Sequence, residues 1–315
     1  MKSKSMNPYS KSAFIGFILV IISAVCFATL GIFASLLRKQ GFSTESILTW
    51  RFVGAGILLW AILFIKKDYK LSLREGFISF SLGLAGYALA SYLFIYAILK
   101  VGLALGTVLL YTYTAFSCFF RWLFFKHKLS KNDMTNVALS FVGCILVCGI
   151  YSFSSATGKL NLGHLSGLMA GLIYALYLVL NEKYLKNTCT LKSTAWMTLG
   201  TGFIFIVLTF LGNQQLNLVP PNFEKSIFPL FGIMFFSTLL PLITLLEAIK
   251  LIGPVKSAVI STLEPCIAAV FGLLIFHQHL ENIQIWGIIL VIVSVLSAQK
   301  LLNLNFIRRL NFFKN

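Results

Sequence analysis

The sequence predicts an all-α membrane protein of ten transmembrane helices, arranged as two inverted five-helix repeats. Three observations carry that expectation: a composition poor in charge, ten apolar runs of spanning length, and a second set of five that follows the first at an offset of about 151 residues. Of the 315 residues, 58% are hydrophobic and 11% charged, whereas an ordinary soluble chain carries about 25% charged residues. A membrane helix needs roughly 20 mostly apolar residues. An odd number of spans per half makes the two halves cross the bilayer in opposite directions.

The first repeat covers 13–151, with spans at 13–37, 46–65, 78–99, 103–125 and 135–151. The second covers 163–302, with spans at 163–185, 194–211, 227–249, 255–276 and 283–302. The tails 1–12 and 303–315 flank them. Lys2, Lys4 and Lys11 precede span 1, whose apolar run is too long for a cleaved signal and reads as an uncleaved first helix. Turns at 100–102 and 250–254 join spans 3 and 4 and spans 8 and 9, and such short turns make antiparallel neighbours. Small residues at helix-contact spacing, Gly83 with Gly86 and Gly167 with Gly171, allow close backbone approach. The longest gaps, near 152–162 and 212–226, are too short to house a soluble domain.

The offset is visible in residues as well as in span boundaries. Tyr96-Ala-Ile-Leu-Lys-Val-Gly falls on Glu247-Ala-Ile-Lys-Leu-Ile-Gly, Gly16 on Gly167, Ala24 on Ala175 and Leu129 on Leu280. Lys126–Ser130 falls on His277–Glu281. Identities are few, but one offset accounts for all of them, and repeats are sought before a fold is argued.

The net charge of +17 reflects a bias rather than a basic patch. With the N-terminus in the cytoplasm, 19 of the 26 Lys and Arg fall on cytoplasmic segments and 5 on outer ones, with Arg51 and Arg121 inside spans. That is the positive-inside pattern, and it places both termini in the cytoplasm. Membrane lipid is therefore the expected partner of the basic excess, and no nucleic acid is. The six cysteines show no C-x-x-C spacing, Cys144 and Cys148 alone make a poor zinc site, and the four histidines do not cluster, so no metal and no cofactor are expected. The sequence lacks G-x-x-x-x-G-K-[ST], H-E-x-x-H and G-x-S-x-G, which argues against an enzyme.

The chain resembles the ten-span transporters of the drug/metabolite transporter superfamily, built from two EamA domains. The resemblance runs from about residue 13 to 302. It is carried by Ala28-Thr-Leu-Gly-Ile-Phe-Ala, Leu48-Thr-Trp-Arg-Phe, Tyr96-Ala-Ile-Leu-Lys-Val-Gly and Ser261-Thr-Leu-Glu-Pro. It implies a carrier of amino acids or similar metabolites in the bacterial inner membrane, often an exporter. Two matching places depart from the family pattern: His127 and Gln278 stand where an acidic residue often follows spans 4 and 9.

The candidate substrate- or ion-binding residues are Glu264, Pro265, Arg51, Tyr111, Tyr113, Thr114, Tyr92, Tyr177 and Asn181. Glu264 lies near the middle of span 9, where a charge costs at least about 2.5–3.5 kcal/mol and is usually paired, protonated or turned to a cavity. It reads either as a proton-coupling or cation-binding group or as a structural one. Pro265 frees the carbonyl of Ser261 and Pro241 that of Ser237, which predicts two kinks in the second half with no proline at the matching places of the first. Arg51 lies about four residues inside span 2, roughly 6 Å of helix, so it reads as a snorkelling residue or as a counter-charge for a carboxylate. Arg121, Glu182 and Glu247, near cytoplasmic span ends, read most simply as interface anchors. Tyr111, Thr112, Tyr113 and Thr114 form a polar run in span 4, and the repeat sets Tyr113 opposite Glu264 and Thr114 opposite Pro265. Hydroxyls there bind a ligand or their own helix carbonyls. Tyr92 and Tyr96 in span 3, and Tyr174, Tyr177 and Asn181 in span 6, line the same cavity or serve packing.

These readings favour a secondary carrier that moves a small molecule by alternating access, with protons as a coupling partner. The alternatives are a channel or a receptor-like or structural membrane protein.

Overall fold

The computed structural model describes residues 8–126, 130–148, 162–211, 223–277 and 279–312. His127 and Gln278, and the ends of the predicted span 5 and of the N-terminal tail, lie outside the described residues. All regular structure among the described residues is helical. Seven helical runs are long and apolar enough to cross a membrane, and Asn282–Ala298 is a shorter apolar helix. The helices Lys131–Val147 and Thr190–Leu211 do not meet that measure. The first opens on Lys131, Asn132 and Asp133 and carries Asn136; the second bears Lys192 and a series of serines and threonines.

Helix ends follow local chemistry. Ser43, Ser72 and Ser130 each stand in extended backbone and accept the N–H three residues on, from Ser46, Glu75 and Asp133. Such side-chain caps satisfy N–H groups that a helix start leaves without partners. At the other ends, Gly102 and Gly253 have φ of 86° and 82°, and Lys126 and His277 have φ of 51° and 52°. The two pairs are related by the sequence offset, so the terminators recur with the repeat.

Helix contacts recur in the same way. Helix α1 (Pro8–Ala28) packs along α13 (Leu240–Ile252), and α10 (Leu162–Leu185) packs along α6 (Leu89–Val101). The offset carries α1 onto α10 and α6 onto α13, so this is one contact made twice. Helix α9 (Lys131–Val147) packs along α16 (Asn282–Phe312).

Several helices are interrupted. Leu82–Ala88 and Gly232–Leu239 are π-helical and lie at matching places in the two halves; Trp50–Gly54 is a third π-helical stretch. Breaks occur at Thr29, between α1 and α2 (Leu30–Lys39), and at Thr112, between α7 (Leu103–Tyr111) and α8 (Tyr113–Phe125). A third at Thr262 separates α14 (Pro254–Ser261) from α15 (Leu263–Phe276). At all three, ψ lies between −15° and −5° and the hydroxyl donates to the carbonyl three residues back, at 2.6 Å. Interruptions thus stand near both prolines of the second half and also in the first half, where Thr112 and Leu82–Ala88 need no proline. Pro265 sits in the first turn of α15 and Pro241 at the start of α13, where the missing N–H is tolerated. Beside Pro241 the two halves are joined by polar contacts: its carbonyl accepts from Ser23 Oγ at 2.9 Å, and Ser237 Oγ bonds Thr29 Oγ1 at 2.8 Å.

Candidate functional site

The break at Thr262 sets Glu264 in the first turn of α15, largely buried in the bundle. The Tyr111 side chain and Arg51 both lie within electrostatic reach of it. Tyr111, at the end of α7, packs on Tyr113 across the Thr112 break, ring centroids 5.5 Å apart. Tyr113 meets Tyr174 edge to face at 5.0 Å, and its hydroxyl approaches the Ala258 carbonyl at 3.5 Å. Tyr174 stacks on Tyr177 at 5.8 Å, and both pack on Tyr87, at 6.2 Å and 5.5 Å. Five tyrosines from three different helical runs thus form one aromatic cluster.

Arg51 joins this cluster at Tyr87. It is 8% exposed, its Nε donates to Thr238 Oγ1 at 3.1 Å and its Nη2 to Tyr87 Oη at 3.3 Å. Thr238 donates onward to the Ile233 carbonyl at 2.7 Å, an i−5 bond that the π-helical stretch makes available. Arg51 therefore does not snorkel: it turns inward, where hydrogen bonds replace the water it gives up. A carboxylate and a guanidinium beside one tyrosine cluster give a site that can orient a small molecule by charge and hold it by ring contact.

Gly167 and Gly171 explain how the cluster is held. A Cβ at Gly167 would lie 2.7 Å from Leu109 Cβ, and one at Gly171 would lie 2.4 Å from Thr112 Oγ1 and 2.8 Å from the Leu110 carbonyl. Helix α10, which carries Tyr174 and Tyr177, is thereby pressed against the break that orients Tyr111 and Tyr113.

The other candidates stand apart. Thr114 Oγ1 donates to its own helix at the Tyr111 carbonyl, 3.0 Å away, and Asn181 Nδ2 to the Tyr177 carbonyl, 2.8 Å away. Tyr92 is 45% exposed on the outside of α6 and touches none of these rings. Pro265 is buried beside Glu264 and Pro241 beside Ser23. The sequence did not single out Tyr87 or Thr238. Tyr87 follows the Gly83 and Gly86 pair, which was the available signal; the role of Thr238 depends on a π-helical turn that composition does not announce.

At one end of the bundle the chain is laced by polar contacts. Arg121 Nη2 meets Glu182 Oε1 at 3.8 Å, Lys192 Nζ meets Asp68 Oδ1 at 2.5 Å, and Thr188 Oγ1 donates to Glu75 Oε1 at 2.7 Å. Lys250 donates to the Thr188 carbonyl and to Thr190 Oγ1, and Thr190 donates to Glu247. Arg121, Glu182 and Glu247 are thus bonded to protein partners rather than serving as plain interface anchors. No group of three or more His, Cys, Asp or Glu able to hold a metal occurs among the described residues. Two cavities border α10. One of about 360 Å³, between α10 and the Leu82–Ala88 stretch, has Tyr177 as its inner wall. The other, of about 660 Å³, lies between α6 and the start of α10.

The model of the EamA-like transporter family matches this chain twice, over residues 14–149 and 161–298. The chain belongs to the EamA-like transporter family. It is similar to the uncharacterized transporter YcbK of Bacillus subtilis (strain 168), 24% identical over 285 residues, covering 88% of this chain and 90% of that protein. It is also similar to the uncharacterized transporter YyaM of the same organism, 23% identical over 261 residues, covering 82% and 85%. A protein of known crystal structure superposes with a TM-score of 0.74 at 13% identity, over 92% of this chain and 99% of that one, which speaks of the fold. Membership in this family makes the chain a multi-pass membrane transporter, and the two matched segments are the two halves whose terminators and contacts repeat.

Proposed function

We propose that this EamA-family protein is a secondary carrier of ten spans in two inverted halves, seated in the bacterial inner membrane with both termini in the cytoplasm. It moves a small metabolite by alternating access, and protons are its coupling ion. The single observation that carries the reading is the placement of Glu264 and Arg51 beside the Tyr111, Tyr113, Tyr174, Tyr177 and Tyr87 cluster, within electrostatic reach of each other. A buried ionisable residue on an interrupted membrane helix is a functional signature, because its cost must be met by a partner or a cavity. The positive-inside bias supports the orientation, and it makes the polar-laced end of the bundle the cytoplasmic one.

The test is flux of a labelled metabolite panel in proteoliposomes, with and without a pH gradient, for the unaltered protein and Glu264→Gln. Saturable flux that loses its response to the gradient in the variant is the expected result. Saturable flux with an unchanged pH response would remove Glu264 from coupling. Absence of flux for every solute would count against the carrier.

A further inference from the structure

We infer that Arg121 and Glu182 form the cytoplasmic latch of the transport cycle and that Gly31 and Gly272 are its bare counterpart at the outer end, so that the two ends close by different chemistry. This rests on the carrier reading given above. The Arg121–Glu182 pair, 3.8 Å apart, joins α8 of the first half to α10 of the second. The offset of 151 carries Arg121 onto Gly272 and Glu182 onto Gly31. An ion pair at one end therefore corresponds to two residues without side chains at the other.

Gly272 is buried, but three places at the outer end are more open than the latched end. Gly253 and Gly102 share one backbone conformation, with φ, ψ of 82°, 164° and 86°, 162°. A Cβ on Gly253 would lie 2.8 Å from Arg121 Nη1, whereas one on Gly102 would meet nothing within 4 Å. Gly16 presses α1 against Ile252 and Leu251. Its counterpart Gly167 is pressed as closely, 2.7 Å from Leu109 Cβ, but between the start of α10 and the end of α6 a cavity of about 660 Å³ remains, lined by Tyr96, Lys100 and Leu165. A Cβ on Gly31 likewise meets nothing within 4 Å.

The chemistry of the two closures follows. The latch holds opposite charges at an end where Arg121 keeps a quarter of its side-chain surface in contact with solvent and Glu182 a tenth. To open that end the pair must separate and both groups must be rehydrated. The outer end, with glycine at both places, closes by backbone approach and dispersion, as small residues do in membrane helix pairs. Removing the latch therefore biases the protein away from the state seen here, toward the one in which Gly31 is covered.

The test uses the full chain in intact cells, in a Cys189→Ser background, since Cys189 is the exposed cysteine among the described residues. Gly31→Cys is the reporter and a membrane-impermeant maleimide added outside is the probe. The reporter is expected to label readily, and Glu182→Gln or Arg121→Gln is expected to slow labelling about five-fold, a typical coupling between two sites. The charge swap Arg121→Glu with Glu182→Arg restores the rate. Equal labelling in all backgrounds, each shown to be folded by its elution profile, overturns the latch, as does a reporter that fails to label. Labelling needs no transported solute. A response without flux of any solute supports the latch and counts against the carrier, whereas flux without a response does the reverse.

Discussion

Gly171 offers the sharpest stability test of how the site is built. A Cβ there lies 2.4 Å from Thr112 Oγ1, 2.8 Å from the Leu110 carbonyl oxygen and 3.0 Å from the Leu109 carbonyl oxygen. The hydroxyl can turn away only by giving up its 2.6 Å bond to Leu109. The two carbonyls belong to the last turn of α7 and move only with the helix. They must retreat by about 0.6 Å and 0.4 Å to reach an ordinary 3.4 Å contact. Overpacking of this kind costs about 1–3 kcal/mol, against a helix-propensity gain for alanine over glycine of at most about 1 kcal/mol. Gly31→Ala is the control, because it adds the same methyl where nothing lies within 4 Å. Thermal unfolding of the detergent-purified proteins, followed by elution profile after heating, should place Gly171→Ala several degrees below Gly31→Ala, since 1 kcal/mol is worth about 2–4 °C in chains of 150–250 residues. If Gly171→Ala melts with its control or above it, α10 is not pressed against the Thr112 break and the account of how the tyrosine cluster is oriented fails.

Substituting Arg51 by lysine should lower flux at least ten-fold while leaving the protein folded, because a single ammonium cannot reproduce the paired bonds to Thr238 and Tyr87; wild-type flux in Arg51→Lys would remove the guanidinium from the site. Tyr87→Ala should abolish flux, whereas Tyr92→Ala, on an exposed face, should leave it within two-fold. Solute uptake by the two variants side by side decides that. The hydrogen bond to Asp68 holds the Lys192 ammonium above its ordinary value of 10.5. The bond's contribution is therefore complete below that value and lost as pH rises through the raised one. Melting curves of the unaltered protein and Asp68→Asn should accordingly converge at strongly alkaline pH; a gap that persists there refutes the assignment.

Glu264 and Arg51 were legible because each stands alone as a charge within an apolar run, and lipid makes such a charge costly wherever it points. The family resemblance was legible from short runs such as Ser261-Thr-Leu-Glu-Pro. Thr114 and Asn181 were drawn from the same polarity signal but bond to their own helices, a choice that depends on rotamer and not on composition. Arg51 had two readings from its depth alone, and only the position of Thr238 on a neighbouring π-helical turn decided between them. The kinks illustrate the same limit. Proline announced two of them, but three threonine hydroxyls bonded to their own helices mark the breaks in both halves.

The sequence by itself determined that this chain enters a membrane, repeats at an offset of 151 and carries Glu264 and Arg51 inside apolar spans, because apolar run length, spacing and charge are local properties. Tertiary structure alone decided that five tyrosines from three helical runs form one cluster beside those charges. It also decided that Arg121 reaches Glu182 while the matched Gly31 faces open space. Each depends on which helices lie side by side and how their interruptions rotate successive side chains, and a one-dimensional pattern does not encode that rotation.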